Sequence, residues 1–153
     1  MQELGFNYRI TDIQCALGIS QLKKLDSFVK SRRKIAKKYD DLFEGNPYFD
    51  VIIEKENRES AYHLYPILLK DKFVDYKKEI FAKLRQEGLG VQVHYIPVYK
   101  QPYYQNLGFN NELCPICEEF YKKELSIPMY PTLTDEDIEF VKDKLYKVIS
   151  EFD

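Results

Sequence analysis

Gly5-Phe6-Asn7-Tyr8-Arg9-Ile10-Thr11-Asp12-Ile13-Gln14 runs straight into Cys15-Ala16-Leu17-Gly18-Ile19-Ser20-Gln21-Leu22, and the join between them marks the start of an apolar-periodic helix. Thr11 with Gln14 three residues later is a capping-box pattern, in which each side chain satisfies a backbone N–H of the first turn. The positive end of the helix macrodipole is left exposed there. Asn7 and Arg9 lie just ahead of it. An amide, a guanidinium and a helix N-terminus converging on one point make a site for a phosphate or a carboxylate. The same residues also describe a well-capped helix beside a solvated arginine, and both readings stand at this point.

Beyond Thr11, the residues Ile13, Cys15, Ala16, Leu17, Ile19 and Leu22 surround most of the helix circumference as far as about Leu25. A helix that is apolar nearly all round has to be buried by something, so burial is predicted. A second helix follows from about Asp26 to Phe43. In it Phe28, Ile35, Leu42 and Val29, Ala36, Phe43 recur at seven-residue spacing, with the basic residues on the other face; Gly45-Asn46-Pro47 ends it. Asp50–Glu54 and Ala61–Lys70 read as strands, with Pro66 implying an edge or a bulge in the second.

Phe73, Tyr76, Ile80 and Leu84 share a helix face that stops at Gly88, and Gly90 opens a third strand, Val91–Tyr95. A Tyr- and Pro-rich loop spans Ile96–Gly108. A helix over Pro115–Lys123, a short strand over Leu125–Ile127 and a helix from Thr134, capped by Asp137 and burying Ile138, Val141, Leu145 and Ile149, complete the order. This is an α+β, two-layer pattern with a small, mainly antiparallel sheet packed by helices and preceded by a long helical segment.

The 153 residues, 44% of them hydrophobic, suit one domain with a sizeable core. A net charge of −2 argues against an obligatory nucleic-acid footprint, yet between Leu22 and Lys38 eight basic residues face one acid, Asp26. The run Lys30-Ser31-Arg32-Arg33-Lys34 is either a nucleic-acid patch or a solvated helix face, and the apolar stripe favours the latter. Three cysteines make no disulfide framework and no segment is long and apolar enough to span a bilayer, so the expectation is a cytoplasmic protein. The polar motif begins a few residues after Met1, as if the scaffold before it were missing.

Two other groupings could carry chemistry. His94-Tyr95, followed by Pro97, Tyr99, Pro102, Tyr103 and Tyr104, is either a ligand-facing loop or a satisfied surface histidine beside core aromatics; His63 reads as structural. Cys114-Pro115-Ile116-Cys117 has half the spacing of a zinc site, but no second pair exists. The better reading makes Cys114 a helix-start residue with Cys117 packed.

Several of these motifs together resemble one family. Gly5–Gly18 with Gln21-Leu22, then Val93-His94-Tyr95-Ile96-Pro97, Cys114-Pro115, and Leu125-Ser126-Ile127-Pro128-Met129-Tyr130-Pro131 with Leu133-Thr134 are similar to the C-terminal part of the DegT/DnrJ/EryC1/StrS sugar aminotransferases. Within it, Asn46-Pro47-Tyr48-Phe49, His63–Leu68 and Tyr99 most resemble the 4-aminotransferases of pseudaminic acid synthesis, which serve flagellin glycosylation.

The resemblance implies the small C-terminal domain of a fold-type-I pyridoxal 5'-phosphate enzyme that moves an amino group from glutamate to a UDP-linked 4-keto-6-deoxy sugar. It also implies a homodimer with active sites at the subunit interface and a Schiff-base lysine in an N-terminal domain that residues 1–153 lack. Residues 1–45 would be a helical connector and interface segment, and 46–153 the α+β small domain. By the same resemblance Asn7 reaches the cofactor phosphate across the dimer, and Arg9 supports that phosphate or the substrate diphosphate. Tyr8, His94, Tyr95 and Tyr99 face the sugar nucleotide, Tyr99 standing where many relatives carry histidine. No catalytic residue is expected in this chain, which by itself should be inactive and should not hold the cofactor. A stand-alone binding or scaffolding module and a nucleic-acid-binding domain are the alternatives; the first expectation includes neither nucleic acid nor membrane as a partner.

Overall fold

The computed structural model describes residues 5–6, 8–109 and 114–153. Helix α1 spans Asp12–Leu22 and opens with the predicted capping box: the Thr11 N–H donates to Gln14 Oε1 at 2.8 Å, and the Gln14 N–H donates to Thr11 Oγ1 at 3.4 Å. It stops three residues short of Leu25, where the N–H groups of Lys23 and Lys24 turn back onto Ile19 and Gln21 carbonyls. The predicted burial of this helix does not occur: among the described residues nothing covers it, and none of its side chains is buried. Apolar patterning calls for a partner, and the core of this chain is already filled by other elements.

Helix α2, Leu25–Phe43, buries Ile35, Ala36, Tyr39 and Phe43, one face of its seven-residue pattern. Its exit is built on Gly45, at φ +69°, a conformation that glycine adopts without a Cβ clash. Asn46 then donates to the Phe43 carbonyl at 2.8 Å and accepts from the N–H groups of Tyr48 and Phe49, both at 3.0 Å. That one side chain joins the helix end to the first strand.

Strands β1 (Phe49–Val51), β2 (Tyr65–Leu69) and β3 (Glu124–Ile127) form an antiparallel sheet in that order, with Phe49 opposite Leu69, Val51 opposite Ile67, and Ile67 opposite Leu125. The first two are shorter than their predicted spans. Pro66 sits in the central strand rather than at an edge, and alternation explains why it is tolerated. Ser126, opposite Pro66, exchanges both backbone hydrogen bonds with Gln92 on the far side of β3, so the Pro66–Ser126 pair is a non-hydrogen-bonded one. The missing N–H of Pro66 therefore points to the β1 side, where pairing has already ended at Val51.

The predicted strand Val91–Tyr95 is reduced to a single bridge, Gln92 with Ser126. Beyond it the His94 N–H donates to a side chain, Glu124 Oε2 at 2.9 Å, instead of continuing the ladder.

A 3-10 segment (Asp71–Tyr76) leads into α3 (Lys77–Gln86); α4 (Pro102–Asn106) and α5 (Pro115–Lys123) follow, and α6 (Asp135–Ser150) closes the chain with its own capping box at Thr134 and Asp137. Helix α6 lies between α2 and α3, and Ile138, Val141, Leu145, Val148 and Ile149 fill the space under the sheet with Ile80, Leu84, Ile67 and Leu69. This gives two layers, helices over a small antiparallel sheet. Among the described residues no helix is long and apolar enough to cross a membrane.

Candidate functional site

At the N-terminal motif, Arg9 is exposed and among the described residues makes no hydrogen bond or ion pair. Tyr8 is exposed and stacks on Phe6 with ring centroids 5.2 Å apart. Asn7 lies outside the described residues. Thr11 is spent on its cap, so the free donors are the guanidinium and the remaining first-turn N–H groups of α1. These fit a phosphate in part, and no lysine lies within Gly5–Gln14 to bind an aldehyde.

The second group is carried by His94–Lys100, between the Gln92 bridge and α4. The His94 ring stands edge-on to Tyr95 at 4.6 Å, its Nδ1 is buried without a hydrogen-bond partner, and the Tyr95 ring is exposed. Tyr99 points elsewhere. Its hydroxyl donates to Glu118 Oε1 of α5 at 2.7 Å, and the neighbouring Lys100 ammonium pairs with Oε2 of the same carboxylate. Burial, with the Glu118 carboxylate behind it, pushes the Tyr99 phenol up to about 12. Lys100 and then Tyr99 hold the Glu118 carboxyl below the usual carboxylate range. Among the described residues no hydrogen bond, ion pair or ring contact joins Tyr8 or Arg9 to His94, Tyr95 or Tyr99.

Cys117 is exposed, not packed as predicted, and Glu118 takes the buried place beside it. Helical phase settles this, since one residue is a 100° rotation. Among the described residues no cluster of three metal-capable side chains occurs. The basic run is largely committed internally: Arg32 donates to the carbonyls of Tyr62, His63 and Met129 at 2.9–3.1 Å, and Arg33 pairs with Glu54 at 3.0 Å.

Sequence reasoning missed Glu118 and Glu124. Neither stands in a motif; Glu124-Leu125-Ser126-Ile127 does alternate polar and apolar residues, but the expected strand begins at Leu125 and leaves Glu124 out, and nothing in the alternation shows that the polar face is buried as well. Lys77 is half-buried against Tyr121, and burial lowers its ammonium pKa.

Comparison with known proteins agrees with this architecture. Over 149 residues the chain is 48% identical to a Campylobacter jejuni UDP-4-amino-4,6-dideoxy-N-acetyl-beta-L-altrosamine transaminase, covering 97% of this chain and 39% of the relative. The Helicobacter pylori aminotransferase PseC, involved in the biosynthesis of pseudoaminic acid, superposes with a TM-score of 0.90 at 37% identity, over 98% of this chain and 40% of that one. The Streptococcus pneumoniae sugar aminotransferase Spr1654 in its PMP form gives 0.87 at 28% identity, over 94% and 36%. The chain spans about two fifths of the length of these relatives. The DegT/DnrJ/EryC1/StrS aminotransferase family profile matches residues 1–146, and the chain belongs to that family.

Proposed function

We propose that this chain supplies the C-terminal part of a pyridoxal-phosphate-dependent transaminase that passes an amino group from glutamate to a UDP-linked 4-keto-6-deoxy sugar, in the route to pseudaminic acid. The observation that carries this reading is the 48% identity along nearly the whole chain to a transaminase of a UDP-linked amino sugar. In this proposal the protein works as a cytoplasmic homodimer, residues 1–45 connect and make the interface, and residues 46–153 form the small domain. The cofactor, when bound, supplies an electrophilic carbon and an electron sink for moving the amino group. Its lysine anchor comes from outside residues 1–153, so these residues alone neither hold it nor catalyse.

This chain's own residues bind and orient. Asn7 and Arg9, with the N-terminus of α1, hold a phosphate; Tyr8, His94 and Tyr95 face the sugar nucleotide. The test joins residues 1–153 to a lysine-bearing domain of the family and measures visible cofactor absorbance and glutamate-dependent amination of a UDP-4-keto sugar. A joined protein that takes up no pyridoxal phosphate overturns the assignment. Asn7→Ala and Arg9→Ala should each weaken cofactor retention by about 1–3 kcal/mol, the worth of one hydrogen bond to a charged group. No change in either variant would reduce this segment to a capped helix.

A further inference from the structure

Among the described residues, Glu118 and Glu124 are the two carboxylates taken almost wholly out of water, at 1% and 0% exposure. A buried carboxylate is costly unless its oxygens are filled by donors. All four oxygens are filled, three of them by one short segment. Glu124 accepts the His94 N–H on Oε2 at 2.9 Å and the Ser126 hydroxyl on Oε1 at 2.5 Å. Glu118 accepts the Tyr99 hydroxyl on Oε1 and the Lys100 ammonium on Oε2.

The two acids come from one continuous unit, because α5 ends at Lys123 and β3 begins at Glu124. The segment they grip has little regular structure of its own: one bridge behind it at Gln92 and a single 3-10 turn over Val98–Lys100. Between the two grips Tyr95, Ile96 and Val98 remain exposed, at 68%, 44% and 61%. A backbone held at both ends, with Pro97 buried between them and Tyr95, Ile96 and Val98 facing out, is a presented surface. Preorganising such a surface spares the ordering entropy that a ligand would otherwise have to supply.

We propose that Glu118 and Glu124 are positioning residues that clamp His94–Lys100 in one conformation, and that Tyr99 belongs to the clamp and touches no ligand. The clamp presents His94 and Tyr95 to the sugar nucleotide, and this last step rests on the function proposed above. By resemblance Tyr99 faces the substrate; in the structure its side chain is half-buried and its single O–H is committed to the Glu118 carboxylate of α5.

The test has two arms. In the 153-residue chain, amide hydrogen exchange is followed at Lys100 and Gln101, whose N–H groups close the 3-10 turn onto Pro97 and Val98 carbonyls, and at Leu145 in the core. Tyr99→Phe and Glu118→Gln should each speed exchange at the first two by about tenfold, with the double variant no faster than the singles. Leu145 should be unmoved. Glu124→Ala should do the same at His94, and Glu124→Gln, whose amide oxygen still accepts, should restore protection. Unchanged exchange at Lys100 and Gln101, or an equal rise at Leu145, overturns the clamp.

In the protein joined to its lysine-bearing domain, Tyr99→Phe and Glu118→Gln should raise KM for the UDP-sugar alike and non-additively. A rise for Tyr99→Phe alone, adding to that of any second variant, would make Tyr99 a ligand contact and refute its place in the clamp. If the joined protein aminates no UDP-sugar, the functional proposal falls, and the exchange arm still decides the clamp.

Discussion

Helix α1 allows a quantitative prediction, because it is apolar all round and uncovered. Ile13, Leu17, Ile19 and Leu22 are 83%, 61%, 59% and 68% exposed, together roughly three side chains' worth of surface. Covering that surface is worth about 5–6 kcal/mol at roughly 2 kcal/mol for a fully buried aliphatic side chain. If two copies cover each other's helix, about 11 kcal/mol is gained. Against it stands an association cost of about 5 kcal/mol, near the low end of the accepted range. The remainder, about 6 kcal/mol, corresponds to a dissociation constant of a few tens of micromolar.

The perturbation is the fourfold variant Ile13→Gln, Leu17→Gln, Ile19→Gln and Leu22→Gln, in which glutamine keeps helix propensity and removes the apolar surface. Sedimentation equilibrium across concentrations bracketing the expected constant should show the native chain self-associating and the variant monomeric. Urea unfolding of the monomeric species should give the same free energy for both, since no side chain of α1 is buried. A native chain that stays monomeric throughout, or a variant that loses more than about 1 kcal/mol of monomer stability, would refute the reasoning.

Two further predictions concern the fold beneath the site. Asn46→Ala leaves the Tyr48 and Phe49 N–H groups without their acceptor and the Phe43 carbonyl with the residue-46 N–H as its remaining donor, and should cost about 2–4 kcal/mol at unchanged urea m-value. A loss below about 1 kcal/mol would mean that water replaces the side chain at the α2–β1 junction. Glu87, bonded by Lys144 and Lys147, has its carboxyl lowered from 4.5 to about 2. A group whose folded pKa is depressed stabilises the fold above its unfolded value, and that contribution is lost as pH falls from about 4.5 through about 2. Glu87→Gln should therefore lower stability above about pH 4.5 and flatten the acid side of the stability curve, and the alkaline side should flatten as well because Glu87 raises the Lys147 ammonium; an unaltered acid slope by thermal melting would count against these bonds in solution.

Legibility differed by the kind of signal. Thr11 with Gln14 and Thr134 with Asp137 announced both capped helices, because a cap is formed by residues three apart and needs nothing else from the chain. The core faces of α2 and α6 were equally plain: Ile35, Ala36, Phe43 and Ile138, Val141, Leu145, Ile149 follow helical periodicity into one cluster. Pro66 reads as the mark of an edge or a bulge and stands at neither, because its harmlessness depends on where β1 ends, a fact of sheet topology. Cys117, expected to pack, is exposed and Glu118 is buried instead, because helix phase is set by what α5 packs against.

The candidate site divides along the same line. Residue types and spacings alone supplied the Thr11 cap with the candidate donors Asn7 and Arg9 ahead of it, the His94-Tyr95 pair and the family resemblance, since each is a local pattern along the chain. Only the tertiary structure decided that Tyr99 turns to Glu118, that Glu124 takes the backbone of His94, and that α1 is left uncovered by the rest of the described fold. Those outcomes depend on which elements lie beside each other across long stretches of sequence, and hydrogen-bond direction and burial are properties of that packing.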